Sequence, residues 1–346
     1  MDAALNTLLD LALAYIADLR QLNPATGSSL QSFKEQDFKA EIEKSATLLS
    51  HTTTRLALSA NGKSRETASI CETAKQALTH LVATVESVPL GLGRNVTKRL
   101  RSATSTVVVS FATLLNTFVE HPRDLEANLR AAGYLTSTGR VWDNCELIKA
   151  VPLSNAICCK LAIEADIKIF DDVAAEIQTS LDNSADQAKP IDNDADADVD
   201  GGTNDDEGDD DDFDFDFDEP TFIAPEDREI VQQTLKLFNS SKMLLKKFTK
   251  ILAQTPPSVP ATDTIEWMDS LVDKTSALVS QLDEISSVLL ISPVDRPGLV
   301  ESLEAIVELA SDMMTASKAH VDTAAATWFG LCGTQLHKVL ESVRTM

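Results

Sequence analysis

Residues 94–118 read RNVTKRLRSATSTVVVSFATLLNTF, and the fold turns on how this stretch is taken. Val107-Val108-Val109 alone has the branched, apolar character of a strand. In the wider stretch, Val96, Leu100, Ala103, Val107, Phe111, Leu114 and Phe118 recur at steps of three and four, gathering on one stripe of a helix. The pattern is longer than a strand usually is, so the spacing predicts a helix.

The same step repeats toward the amino terminus. Ile70, Ala74, Ala77, Leu81, Val85 and Val88 predict a helix that Pro89, Gly91 and Gly93 separate from the one above. Phe38, Ile42, Leu49 and Leu56 predict another over Lys34 to Ser59, and Leu5, Leu8, Ala12, Tyr15 and Leu19 one over Asp2 to Leu22, closed by Asn23-Pro24. Asn61-Gly62 is expected to end the second helix with Gly62 left-handed, and Ser64 with Thr67 to supply capping oxygens for the third. Toward the carboxyl side, periodicity restarts over Asp124 to Ala132 and again with Val141, Cys145 and Ile148. Pro152 then breaks the chain, and Ser154 opens a helix carrying Ile157, Leu161, Ile167, Phe170, Ala174 and Ile177. Residues 1–181 thus predict an antiparallel bundle of five or six helices joined by short loops.

From Leu181 to Pro225 the apolar period vanishes. Between Asp182 and Glu219 eighteen acids stand against one base, Lys189, so this stretch holds most of the formal net charge of −24. Repulsion at that density opposes compaction, which predicts a disordered linker over 182–224. Beyond it, Ile230, Leu237, Leu244, Phe248 and Ile251 predict a helix. Leu271, Leu278 and Ile285 follow at heptad spacing, with Thr275, Leu282 and Leu289 interleaved. A last helical stretch uses Leu299, Leu303, Ile306, Ala310, Met313, Val321 and Trp328, with Gly330 and Gly333 as expected interruptions. The expectation is an all-α protein of antiparallel helical bundles, two halves (1–181 and 225–346) separated by a disordered acidic segment.

Composition narrows the function. With 346 residues and 43% apolar side chains the chain can build real cores. Its acidity argues against a direct nucleic-acid binder, which needs Lys and Arg to replace phosphate counterions. No uncharged apolar run reaches the length of a membrane span. Five cysteines without metal spacing, and an amino-terminal stretch carrying Asp2, Asp10 and Asp18 with no basic start, predict a reducing compartment and no signal peptide.

Motifs for chemistry are weak. Asp196-x-Asp198-x-Asp200-Gly201-x5-Glu207 spells an EF-hand calcium loop, but its flanks are acidic and irregular and its eighth position is Thr203, so nonspecific cation binding is the expectation. Gly62-Lys63-Ser64 lacks the first glycine of a phosphate loop, since position 57 is Ala57. The five histidines form no metal pattern, and neither a nucleophile elbow nor a paired-carboxylate setting stands out. Catalytic, cofactor-binding and metal-binding residues are therefore none, and the chain reads as noncatalytic.

Two basic clusters break the acidity: Arg94, Lys98, Arg99 and Arg101, and Lys242, Lys246, Lys247 and Lys250. The second follows the acidic segment, in which Phe213, Phe215 and Phe217 alternate with Asp. Opposite charges tethered together meet at high effective concentration. Phe213, Phe215, Phe217, Lys246, Lys247 and Lys250 are therefore the candidate partner-binding residues, with the acidic stretch expected to cover the basic face until a partner displaces it.

Gly139-Arg140-Val141-Trp142-Asp143-Asn144-Cys145, followed by Val151-Pro152 and Asn155, resembles a segment of the cyclin-D-binding proteins, the GCIP or Maid-like family. Trp267-Met268-Asp269-Ser270-Leu271 with Asp273-Lys274 resembles their carboxy-terminal bundle, and the order of parts is similar. The resemblance implies an all-helical protein of nucleus and cytoplasm that binds D-type cyclins and helix-loop-helix transcription factors and restrains cell-cycle progression or transcription. No cofactor and no membrane contact are expected from the residues themselves, and the resemblance transfers no contact residues. Two other readings fit the same helices: a cytoskeletal adaptor of the vinculin or talin-rod kind, and an acidic chaperone of basic proteins.

Overall fold

The structure is a computed structural model that describes residues 2–21, 33–119, 133–187, 223–256, 261–290 and 293–346. Among the described residues there are ten α-helices and no strand. They are α1 (Asp2–Arg20), α2 (Glu35–Asn61), α3 (Thr67–Glu86), α4 (Arg94–Asn116), α5 (Tyr134–Lys149), α6 (Asn155–Gln187), α7 (Arg228–Gln254), α8 (Thr262–Leu289), α9 (Arg296–Ser317) and α10 (Thr323–Arg344). The all-α class expected from the sequence is the class observed. The expected helix over Asp124 to Ala132, most of the acidic segment, the EF-hand spelling and Phe213, Phe215 and Phe217 lie outside the described residues.

The chain divides into two compact units, one drawn from residues 1–162 and 252–270, the other from 163–251 and 271–346. They interleave along the chain, so residues 163–181 belong with the second unit and 252–270 with the first.

In the first unit α4 packs against α1, α3 and α5, while α2 packs against α3 and α5. Val107, Val108, Phe111 and Leu115 of α4 are all fully buried. Branched residues lose only a few tenths of a kcal/mol of helix propensity, whereas burying each such side chain stabilises by about 1.5–3 kcal/mol. Burial outweighs the local preference of the valine run for a strand, and α4 forms. Arg101 then ties it to its neighbours: Nη2 donates to the Asp18 carbonyl of α1 at 2.9 Å, and Nε pairs with Glu86 of α3 at 3.2 Å.

The second unit closes over Phe170, Phe238, Leu244, Phe248, Leu278, Leu282, Ile285, Leu303, Ile306 and Phe329, all at most 1% exposed. The heptad positions Leu271, Leu278 and Ile285 and the interleaved Thr275, Leu282 and Leu289 are all buried, as their spacing requires. Buried Asp227 fastens the start of α7 to the start of α9, accepting the Val294 N–H at 3.1 Å and pairing with Arg296 at 3.3 Å.

Serine and threonine, frequent on these helices, enter both cores largely by bonding the carbonyl one turn back, with buried Ser241 Oγ an exception that finds no partner among the described residues. Thr53 donates to Leu49 O, Thr104 to Leu100 O, Thr275 to Leu271 O and Ser317 to Met313 O, at 2.7–2.8 Å.

Two local expectations are corrected. After α2 the left-handed residue is Lys63, at φ 50°, and Gly62 sits at φ −83°. The final helical stretch is two helices, parted around Lys318 to Asp322, and Gly330 and Gly333 lie inside α10. Asp322 starts α10 by accepting the Ala325 N–H at 2.7 Å. An interior glycine costs a helix about 1 kcal/mol, and at Gly333 the missing side chain leaves room for Met314, whose Cε would stand 3.3 Å from an added Cβ.

Truncating the centre of α4 leaves a cavity that rigid helices do not refill. Phe111→Ala is expected to lower unfolding free energy by about 3–5 kcal/mol, read by chemical denaturation followed by circular dichroism. A loss under about 1 kcal/mol would contradict the central place of this side chain.

Candidate functional site

The residues that carry the family resemblance fall into two roles. Val141 and Cys145 are fully buried, Met268 is 0% exposed and Trp267 8%, so these are core anchors. Asp269 is also buried, at 5%, and organises a polar knot within the first unit. Its Oδ2 accepts the Arg94 N–H at 2.9 Å, and its Oδ1 accepts from Asn95 Nδ2 at 2.7 Å and Asn155 Nδ2 at 3.1 Å.

Arg94 opens α4, so this carboxylate lies on the positive end of the helix dipole and answers one of its orphan N–H groups. Gly93, at φ +108°, permits the close approach, because an added Cβ there would stand 2.2 Å from Asn155 Cγ. The two patches that resemble the family along the chain, around Asn155 and around Asp269, therefore meet at the start of α4. The knot is structural, since its carboxylate is spent on three donors.

A second cluster has no counterpart in the sequence reading. Ser45 Oγ lies 2.6 Å from His80 Nδ1, and His80 Nε2 lies 3.5 Å from Glu41. The residue types match a hydrolytic triad. The setting does not, for Ser45 is 2% exposed and its hydroxyl already donates to Glu41 O at 2.8 Å. The cluster pins α2 to α3. Nothing in the spacing of a lone His and a Ser 35 residues earlier signals it.

The cysteines are similarly withdrawn from chemistry. Burial pushes the Cys145 thiol up to about 12 and those of Cys71, Cys158 and Cys332 to about 11, from an ordinary value of 9.0. A nucleophile or metal ligand must be a thiolate, and at neutral pH these remain thiols. Among the described residues no three His, Cys, Asp or Glu side chains gather as a metal site, and no helix is long and apolar enough to cross a membrane.

What the surface offers is contact area. On the first unit, Trp142 Nε1 donates to Thr54 Oγ1 at 3.1 Å and Asn61 Nδ2 to Tyr134 Oη at 3.5 Å, setting α5 antiparallel to α2. Leu58, one turn beyond Thr54, is 66% exposed. Leu135 and Trp142, two turns apart on one side of α5, are 70% and 44% exposed. These side chains form an apolar edge.

On the second unit, α7 carries Lys236, Lys242, Lys246, Lys247 and Lys250 and, after Glu229, no acid. The structure separates the sequence-predicted lysines. Lys242 donates to Asp171 at 2.7 Å, a bond that holds the Asp171 carboxyl below its ordinary range. Lys247 Nζ stands 5.9 Å from the centroid of the Trp328 ring, a cation–π distance. Lys246 and Lys250 are exposed, and Lys246 adds to the positive field that lowers the Asp171 carboxyl. Of the first basic cluster, Arg94 lies 3.7 Å from Asp269 and Arg101 is buried in its helix contacts, so that cluster is largely structural.

Residues 41–183, from α2 to near the end of α6, match the family described as Grap2 and cyclin-D-interacting, N-terminal. The chain is thus similar to that family over 143 of its 346 residues. It is similar to cyclin-D1-binding protein 1 of Bos taurus, 23% identical over 297 residues that cover 82% of this chain and 78% of that protein. It is also similar to the cyclin-D1-binding protein 1 homolog of Danio rerio, 22% identical over 75% of this chain and 70% of that one. Cyclin-D1-binding protein 1 of Mus musculus is 23% identical over 64% and 58% respectively. The family is named for binding, not for a reaction. Its matched residues include Gly139 to Cys145, Asn155 and the exposed Trp142, while Asp269 lies beyond them in the chain.

Two outcomes follow from this geometry. Asp269→Ala strands three donors at the start of α4 and is expected to cost about 3 kcal/mol of stability, read as a lowered denaturation midpoint; an unchanged midpoint would mean the knot carries no weight. In native protein at pH 7.5, iodoacetamide is expected to leave Cys145 and Cys158 unlabelled and to reach them after unfolding. Because the folded thiol is raised, its contribution to stability is complete below about 9 and is lost as pH climbs through 12. Rapid native labelling at neutral pH would contradict the buried setting.

Proposed function

We propose that this chain is a noncatalytic interaction protein that binds a D-type cyclin and thereby restrains cell-cycle progression or transcription, acting in nucleus and cytoplasm. The observation that carries the reading is similarity along 82% of the chain to a protein named for binding cyclin D1. The surface described above supports it: the chemistry-bearing groups of the first unit are buried or spent, and its exposed apolar edge lies on the family-matched helices. A helix-loop-helix transcription factor is a second partner of the same class, received against exposed helix faces. Nucleic acid and membrane are not partners in this reading.

Binding of the purified full chain to an immobilised D-type cyclin tests it. Saturable binding with a dissociation constant of micromolar order is expected, and no saturation up to about 100 µM would end the proposal. Exposed aromatic side chains that become buried at interfaces contribute disproportionately, so Leu135→Ala with Trp142→Ala is expected to weaken binding roughly tenfold or more with helix content unchanged. Equal affinity for that variant would move the contact to another face.

A further inference from the structure

The outer face of α7 differs in sign from the molecule that carries it. Gln232, Lys236, Asn239, Met243, Lys246 and Lys250 recur at steps of four and three, and all are exposed, in a chain of net charge −24. Met243 is 60% exposed, and on α10 Leu331, one turn past Trp328, is 69% exposed. Cations here stand beside apolar side chains, with Lys247 over the Trp328 ring joining the two kinds. Such a surface suits a segment that presents carboxylates and aromatic rings in alternation.

The chain contains one. Residues 209–218 read DDDDFDFDFD. An external acidic partner would be repelled by the rest of the molecule, whereas this stretch is tethered to the same unit. Ser184 Oγ accepts the Ile223 N–H at 2.9 Å, and Arg228 donates to Leu181 O at 2.9 Å. The described residues on either side of the stretch therefore meet at one place, at the amino end of α7.

Distance permits the return. At 1.5 Å per residue, Met243 and Lys250 lie about 22 and 33 Å along α7 from Arg228. The ten residues from Phe213 to Ile223 span up to about 35 Å when extended, and the longer arm from Ser184 imposes no limit. A tether of this length supplies an effective concentration of millimolar order, so a contact of modest intrinsic affinity is largely formed.

We propose that Met243, Lys246, Lys247 and Lys250 of α7, with Trp328 and Leu331 of α10, form a docking surface for the chain's own acidic-aromatic stretch, residues 209–218. The lysines select carboxylates, and Met243, Trp328 and Leu331 take the phenylalanine rings. Each exposed ion pair contributes little by itself and is screened within about 8 Å at physiological salt, so the rings supply the specificity. This inference is independent of the cyclin reading, and its test contains no cyclin.

The probe is a fluorescent synthetic peptide of sequence DDDDFDFDFD, titrated into three full-length proteins and followed by anisotropy. The first is the natural chain. The second has residues 209–218 replaced by a glycine-serine stretch of equal length. The third adds Lys246→Glu and Lys250→Glu to that replacement. The peptide is expected to bind the second at least about tenfold more tightly than the first, because the tethered copy competes. It is expected to bind the third at least about tenfold more weakly than the second, and to weaken with salt. Lys98→Glu in the replaced protein changes charge on the first unit and is expected to leave affinity unaltered, as is helix content by circular dichroism throughout. A peptide in which serine replaces the three phenylalanines is expected to bind the second protein weakly. Equal affinity for the first and second proteins would overturn the occupancy by residues 209–218. Equal affinity for the second and third, or for both peptides, would overturn the surface itself.

Discussion

Burial of α4 is the constraint on which the first unit rests. Its apolar residues face three neighbouring helices at once, so α1, α3 and α5 find their places by covering it, and α2 is placed in turn by α3 and α5. Helices without such a common partner would gain too little from their own backbone bonds to persist in water. Where α4 begins is fixed electrostatically, by a buried carboxylate from α8 that receives its first N–H and an amide from α6. A greasy stripe sets which helices associate, and one charge on a helix end sets their register.

That division of labour explains why the residues shared in appearance with the family are mostly hidden. Val141, Cys145, Trp267 and Asp269 are buried and serve the scaffold. Low identity to the relatives is compatible with one fold on these terms, because volume and pattern in a core tolerate substitution while a few polar fasteners do not. Trp142 is the exception: it belongs to the resembling segment and is nonetheless partly exposed, tied by its ring nitrogen to Thr54.

The helices were legible because their apolar steps run for many turns, and even the valine run yielded to the period around it. The split between α9 and α10 was not, since Gly330 and Gly333 look like the stronger punctuation while Asp322, a single capping residue, marks the actual start. The knot at Asp269 was legible only as a lone acid amid Trp267, Met268 and Leu271. Its partners lie 114 and 175 positions away, a separation that no local pattern encodes. The basic run on α7 was visible as charge. That Lys242 is spent on Asp171 and Lys247 lies against Trp328 depended on residues far along the chain, so sequence overstated Lys242 and gave no sign of the aromatic neighbour.

Native-state hydrogen exchange on the full chain tests the scaffold most directly. If α4 is the element that its neighbours cover, amides from Leu100 to Leu115 are expected to be among the slowest in the first unit, exchanging only when that unit unfolds as a whole. Asp269→Asn should then raise exchange first in the opening turns of α4. Exchange of Leu100 to Leu115 through local openings, as fast as that of α5 and insensitive to denaturant, would contradict the account.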